Sequence, residues 1–247
     1  MINHIIKNLA RKYLNLKIFR ILPHGISELE DISRAFPGYS LKMIFDVGSN
    51  VGQSVNKFRS AIPEVVVHCF EPVDSTFQVL SSKVISDNVV LNKLALGAKR
   101  ETIQISVPLN NLNSDLNSII HGNVKTQSNN LKTEVINVNT LDEYCSSKEI
   151  SRIDYLKIDT EGYDLEVLKG AKSMLAAHKI DFIEIESGMN PENKYHVPFE
   201  ELKQYLEQCD YRLFGIYEQQ SEWKPIFPML RRVNALFLSK KLFLNSI

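Results

Sequence analysis

The apolar positions along this chain alternate between short continuous runs and stripes spaced three to four residues apart. That rhythm predicts strands separated by amphipathic helices. Met43, Ile44, Phe45 and Val47 form a run broken only by Asp46, as expected for a central parallel strand covered on both faces. A turn with glycines at 48 and 52 follows, then a helix over residues 53–61 that stops before Pro63. Residues 65–70 read as a second strand, 75–84 as a helix and 89–92 as a third strand. A fourth run ends at Asp159, and Leu165, Val167, Leu168, Ala171 and Leu175 continue as a helix with Gly170 tolerated inside it. Residues 181–186 form the fifth strand, which puts Glu184 and Glu186 on one face. After a helix over 199–209, strands 211–218 and 234–239 close the pattern, joined by a loop containing Trp223, Pro225, Pro228, Arg231 and Arg232.

Residues 101–107 and 134–138 alternate apolar with polar side chains, the pattern of half-buried strands. The Asn- and Ser-rich stretch 110–130 between them has a length that marks either a functional loop or a disordered surface one. The pair reads as a β-excursion whose loop covers the site, with Asn117, Ser118 and His121 as candidates for binding a polar substrate. Thr140 reads as a helix N-cap, with Glu143 completing a capping box. Residues 2–22 have helical spacing, with Ile2, Ile6, Leu9, Tyr13 and Leu16 near one stripe and Lys7, Arg11, Lys12 and Lys17 around it. Such a helix can lie on a membrane surface, but packing on the domain or on a second subunit is the preferred reading, because the apolar residues are few. Residues 27–36 form a second short helix, broken by Pro37 and Gly38. The expected organisation is an N-terminal helical segment over 1–40 and one α/β domain over 41–247.

Composition adds mainly exclusions. A hydrophobic fraction of 44% and a charged fraction of 23% are ordinary for a globular protein. Formal net charge is zero, so no nucleic-acid-binding surface is expected. Cys69, Cys145 and Cys209 are too far apart for metal-ligand spacing and point to a reducing cytoplasm. No apolar run approaches the ~20 residues of a membrane span.

The candidate chemistry lies at strand ends. Gly48, Asn50 and Gln53 occupy the positions where a dinucleotide fingerprint needs three glycines, which disfavours a nicotinamide oxidoreductase. No Gly-Lys-Ser/Thr follows, so a P-loop is excluded. The glycines are expected to let a ligand approach the backbone, with helix N–H groups free beyond them. Glu71 stands about 20 residues past the turn, where a doubly wound fold places the carboxylate for a ribose diol. Asp159 and Glu161 end the fourth strand, and Glu186 ends the fifth, pointing toward the same crevice.

Asp46-x-Gly48-x-Asn50-x-Gly52 looks like the first motif of the S-adenosylmethionine-dependent methyltransferases, with Asn50 in place of the usual middle glycine. Together with Phe70-Glu71-Pro72, Leu156-Lys157-Ile158-Asp159-Thr160-Glu161-Gly162 and Glu166-Val167-Leu168-Lys169-Gly170-Ala171, it resembles the FkbM-type methyltransferases from about residue 43 to 239. The resemblance implies a Rossmann-like methyltransferase fold, a mostly parallel seven-stranded sheet with an antiparallel final hairpin, S-adenosylmethionine as donor, and O-methylation of a sugar, glycan or natural-product hydroxyl. It implies cofactor roles for Asp46, Gly48, Ser49, Asn50, Gly52, Glu71 and Pro72, with Ala95 beside the adenine, and site roles for Asp159 and Glu161. Methyl transfer to a hydroxyl benefits from a general base, for which Asp159, Glu186 and His196 are the candidates. A divalent ion between Asp159 and Glu186 is chemically allowed, but no ligand spacing argues for it. The other reading kept open is a methyltransferase-like fold retained as a binding or scaffold module. The acceptor and the oligomeric state are left undetermined.

Overall fold

The computed structural model describes residues 2–14, 19, 21–108, 131–222 and 229–244. The elements are α1 (Ile2–Leu14), α2 (Glu28–Ala35), β1 (Met43–Val47), α3 (Gln53–Ala61), β2 (Val66–Phe70), α4 (Asp74–Lys83) and β3 (Val89–Asn92). Next come β4 (Ala95–Leu96), β5 (Glu101–Pro108), β6 (Leu131–Asn139), α5 (Leu141–Ser147) and β7 (Ile153–Ile158). The chain continues through α6 (Asp164–Lys169), α7 (Lys172–Ala176), β8 (Ile180–Gly188), α8 (Phe199–Gln208), β9 (Tyr211–Ser221), β10 (Leu230–Ser239) and α9 (Lys240–Leu244).

Seven strands form one sheet in the order β3-β2-β1-β7-β8-β10-β9. β3, β2, β1, β7 and β8 run parallel, and β10 pairs antiparallel with both β8 and β9. The chain leaves β1 toward β2 and β3 on one side and returns on the other side through β7. The switch point therefore lies between β1 and β7, where such sheets bind their ligands.

Both faces of the sheet are covered, which is why the central strands read as continuous apolar runs. Phe45, Leu156, Ile158 and Ile183 pack on one face with Leu141, Val167, Leu168, Leu175, Leu202 and Leu206 of the later helices. Ile44, Val67, Tyr155 and Phe182 pack on the other with Ile32, Phe36, Val55, Phe58 and Leu80 of the earlier ones. Neighbours such as Ile44 and Phe45 enter opposite cores because side chains alternate along a strand. The excursion is a separate three-stranded sheet, β4-β6-β5, with its own small core around Ile105, Val107, Ile136 and Val138.

Several local expectations need correction. The first helix is described over Ile2–Leu14, residues 19, 21 and 22 are not helical, and every α1 side chain described, including Ile6, Leu9 and Tyr13, is exposed rather than packed on the domain. The helix after β7 is split into α6 and α7 at Gly170 and Ala171, and Gly170 sits so close to Gly97 that a Cβ there would lie 2.0 Å from its carbonyl oxygen. Arg231 and Arg232 belong to β10, not to a loop. Only half of the capping box forms: Thr140 Oγ1 accepts from the Glu143 amide at 3.1 Å, but Asn139, not Glu143, accepts from the Thr140 amide. Asn117, Ser118, His121, Trp223, Pro225 and Pro228 lie outside the described residues.

Candidate functional site

A crevice of about 340 Å³ opens over the carboxyl ends of β1, β2, β7 and β8. Of the residues expected at the site, Gly48, Ser49, Asn50, Glu71, Pro72, Ala95, Asp159, Glu161 and Glu186 line it, whereas Asp46, Gly52 and His196 do not.

The glycine turn works differently from expectation. The Gly48 and Ser49 amides both donate to the Phe70 carbonyl at 3.0 Å, and the Gly52 amide donates to Ser49. The Asn50 amide donates to Glu71 Oε2 at 3.1 Å. These N–H groups are therefore occupied by β2 and by the turn itself, and it is the start of α3, at Gln53 and Ser54, that lines the crevice beyond them. Gly48 is required for packing: its φ is +83°, and a Cβ there would lie 1.9 Å from the Asp159 carbonyl oxygen. Gly52 does not face the crevice but lies against Val84 and Leu80 at the end of α4. Asn50 takes the middle glycine's place with φ +48°, a left-handed conformation that Asn tolerates better than most residues.

Glu71 is buried at the end of β2, with Oε1 accepting from the Val73 amide at 2.9 Å and Oε2 from Asn50. Burial pushes its pKa up to about 7, against the pull of those two amides. Each oxygen keeps a lone pair for a hydroxyl donor, as a ribose diol requires. Asp46 is fully buried beneath the turn, beside Lys157 in the β1–β7 register. Burial raises its pKa and the Lys157 charge opposes the rise.

Sequence reading missed Lys157 as a site residue. It is buried on β7, with Nζ 2.8 Å from Asp159 Oδ2. Burial opposes its charge, but Asp159, Asp46 and Glu184 around it raise its pKa. Burial likewise works against ionised Asp159, yet Lys157 holds that carboxyl below its usual range. Glu184 has the partners its depth demands: Tyr155 Oη donates at 2.5 Å and Asn234 Nδ2 at 2.8 Å.

At the ends of β7 and β8, Glu161, Glu186 and His196 converge. His196 Nε2 lies 2.7 Å from Glu186 Oε2 and 3.5 Å from Glu161 Oε2. Its Nδ1 is held by the Asn193 side chain at 2.9 to 3.1 Å, and Arg232 ion-pairs with the other Glu186 oxygen. His196 is buried rather than on the surface. Glu161 faces the crevice, and burial together with the Asp159 charge pushes its pKa up to about 7. Glu161, Glu186 and His196 are also the group among the described residues with ligand atoms close enough for a metal, within 4.8 Å of one another. Their charges are already balanced in part by Arg232.

Beyond this cluster the crevice continues over β8, β10 and β9, lined by Lys57, Glu184, Glu218, Arg232 and Asn234. The β9–β10 register slips between Arg232 and Asn234, and Glu218 opposite has φ +44°. Such irregularities re-aim side chains, and no spacing in the sequence announces them. Carboxylates outnumber cations around the crevice: Glu71, Asp159, Glu161, Glu184, Glu186 and Glu218 against Lys57, Lys157 and Arg232. Burial favours the protonated forms of Glu71, Glu161 and Glu184, so the excess of negative charge is smaller than that count.

Comparison with known proteins bears on the same stretch. The Methyltransferase FkbM domain model matches residues 46–213, more than half of the chain. Hexuronic acid methyltransferase AglP of Haloferax volcanii is 27% identical over 154 residues, covering 61% of this chain and 59% of that protein. The crystal structure of a methyltransferase FkbM from Methylobacillus flagellatus KT matches with a TM-score of 0.50 at 18% identity, over 80% of this chain and 43% of that one. The METTL16 methyltransferase domain also matches at 0.50, with 13% identity over 95% of this chain and 77% of that one, a likeness of fold alone. This chain thus spans 59% and 43% of the length of the first two of these proteins. With a Rossmann-like methyltransferase sheet and the family's motifs around one crevice, the chain belongs to the FkbM family of S-adenosylmethionine-dependent methyltransferases.

Proposed function

We propose that this protein methylates a hydroxyl group on a sugar or a similarly hydroxylated acceptor. The observation that carries the proposal is the arrangement of two sites in one electronegative crevice. Glu71 and the Gly48–Asn50 turn form the half over β1 and β2, and Glu161, Glu186 and His196 stand beside it over β7 and β8. S-adenosylmethionine, when bound, supplies an electrophilic methyl group on a sulfonium. Glu71 would hold its ribose hydroxyls, Ala95 and Pro72 would flank the adenine, and Asp159, held ionised by Lys157, favours the sulfonium charge.

The acceptor would lie over β8 and β10, where Lys57, Glu218, Arg232 and Asn234 offer donors and acceptors to a polyol. Of the base candidates, Asp159 is ion-paired and made less basic by Lys157. Glu186 has one oxygen toward Arg232 and the other toward His196, and His196 does not reach the crevice surface. Glu161, which the sequence reading did not place among the bases, faces the crevice with a pKa pushed up to about 7, so it is the group proposed to take the hydroxyl proton. His196 and Glu186 hold Glu161 in place. The relative acting on a hexuronic acid supports a sugar acceptor. The three free cysteines, two of them buried, support a reducing compartment.

Calorimetric titration with S-adenosylmethionine and S-adenosylhomocysteine, with NAD as control, tests the first half. Binding of both sulfur compounds and not NAD is the expected result. Methyl transfer to a panel of glycosides, read by mass, tests the second. Failure to bind either sulfur compound would overturn the proposal and return the chain to the binding-module reading.

A further inference from the structure

Helix α1 is a feature that the crevice does not use. Its described apolar side chains face solvent: Ile6 and Leu9 are each 50% exposed, Tyr13 68% and Leu14 67%. Ile6, Leu9 and Tyr13 share one stripe of the helix, so the exposed surface is continuous. The charge around the stripe has one sign only. Residues 1–27 contain five Lys or Arg and no Asp or Glu, although the whole chain is formally neutral. Lys7 and Lys12 are exposed on α1 itself.

We propose that α1 lies on an anionic lipid surface, with its apolar stripe at the acyl boundary and its basic side chains among the headgroups. Neither part suffices alone: a short apolar stripe anchors weakly, and stable attachment needs the second, electrostatic signal. Each Lys or Arg near an anionic leaflet contributes roughly fivefold in binding. Charge also separates this occupant from the alternative one. Two copies of α1 pairing along their stripes would bring two wholly cationic segments together, whereas an anionic bilayer complements both the stripe and its rim. The inference does not rest on the proposed reaction.

The test is co-sedimentation of the full chain with phosphatidylcholine vesicles made with and without phosphatidylglycerol. Binding to the anionic vesicles only, weakened by salt, is expected. The Ile6→Glu/Leu9→Glu variant should lose that binding, and Lys7→Glu/Lys12→Glu should weaken it by about a hundredfold. Both variants should keep the thermal melt and the S-adenosylhomocysteine binding of the parent, since α1 contributes no residue to the crevice. Equal binding to neutral vesicles, or none to either, would overturn the inference. So would a solution dimer, seen by sedimentation velocity, that the Ile6→Glu/Leu9→Glu variant dissociates.

Discussion

Glu161 and Glu71 show how strongly a residue's chemistry depends on its surroundings. Both have pKa values pushed up to about 7 by burial, against an ordinary value of 4.5. If Glu161 accepts the hydroxyl proton, turnover at saturating donor should rise with pH through about 7 and then level off. Glu161→Gln should remove that limb and lower kcat by about a hundredfold or more, with S-adenosylhomocysteine binding retained. Loss of cofactor binding together with kcat would instead assign Glu161 to the donor half. Stability should respond to the same groups. The folded chain holds protons on Glu71 and Glu161 that the unfolded chain has released above about 4.5. Their contribution is therefore fully present below that pH and is lost as pH rises through about 7. Between pH 5 and pH 8 this should depress Tm, and Glu161→Gln should lessen the fall.

Among the elements, β7 has a role that its sequence only partly declares. The Lys-Ile-Asp-x-Glu-Gly motif is legible, but that Lys157 serves three carboxylates becomes visible only when β1 and β8 are set on either side of β7. Lys157→Met should destabilise the fold by about 3–5 kcal/mol in urea unfolding, because it leaves buried acids without their countercharge. A variant as stable as the parent would sink this account. Thr140→Ala should cost only about 1 kcal/mol, since a single cap bond is lost and Asn139 still serves the Thr140 amide. The helix broken at Gly170 was illegible for a related reason. Helical spacing continues across residues 165–175, and the requirement for glycine at 170, against which Gly97 packs from another part of the chain, is not written in that spacing.

For the molecule as a whole, the crevice is lined by residues from β1 through β10, so the proposed donor and acceptor halves share one crevice. S-adenosylhomocysteine at about a hundred times its Kd should stabilise the whole chain by about 2.7 kcal/mol, in one cooperative thermal transition. A transition that does not move with ligand would contradict a cofactor site in this crevice.

By itself, the sequence determined the seven strands of the main sheet and the helices between most of them, the doubly wound class, and the carboxylates at strand ends that mark the crevice. These are local or periodic properties, written in apolar spacing and in short motifs such as Phe70-Glu71-Pro72. Tertiary structure alone decided that Asp46 and Gly52 lie away from the crevice, that the turn amides are taken by Phe70, and that His196 reaches Glu186 from a loop ten residues downstream. It also decided that Lys57, Glu218 and Arg232 share a wall with Glu184. Each of these facts depends on the distance between segments remote in the chain, and on the burial that sets a group's charge, neither of which is a property of spacing along the sequence.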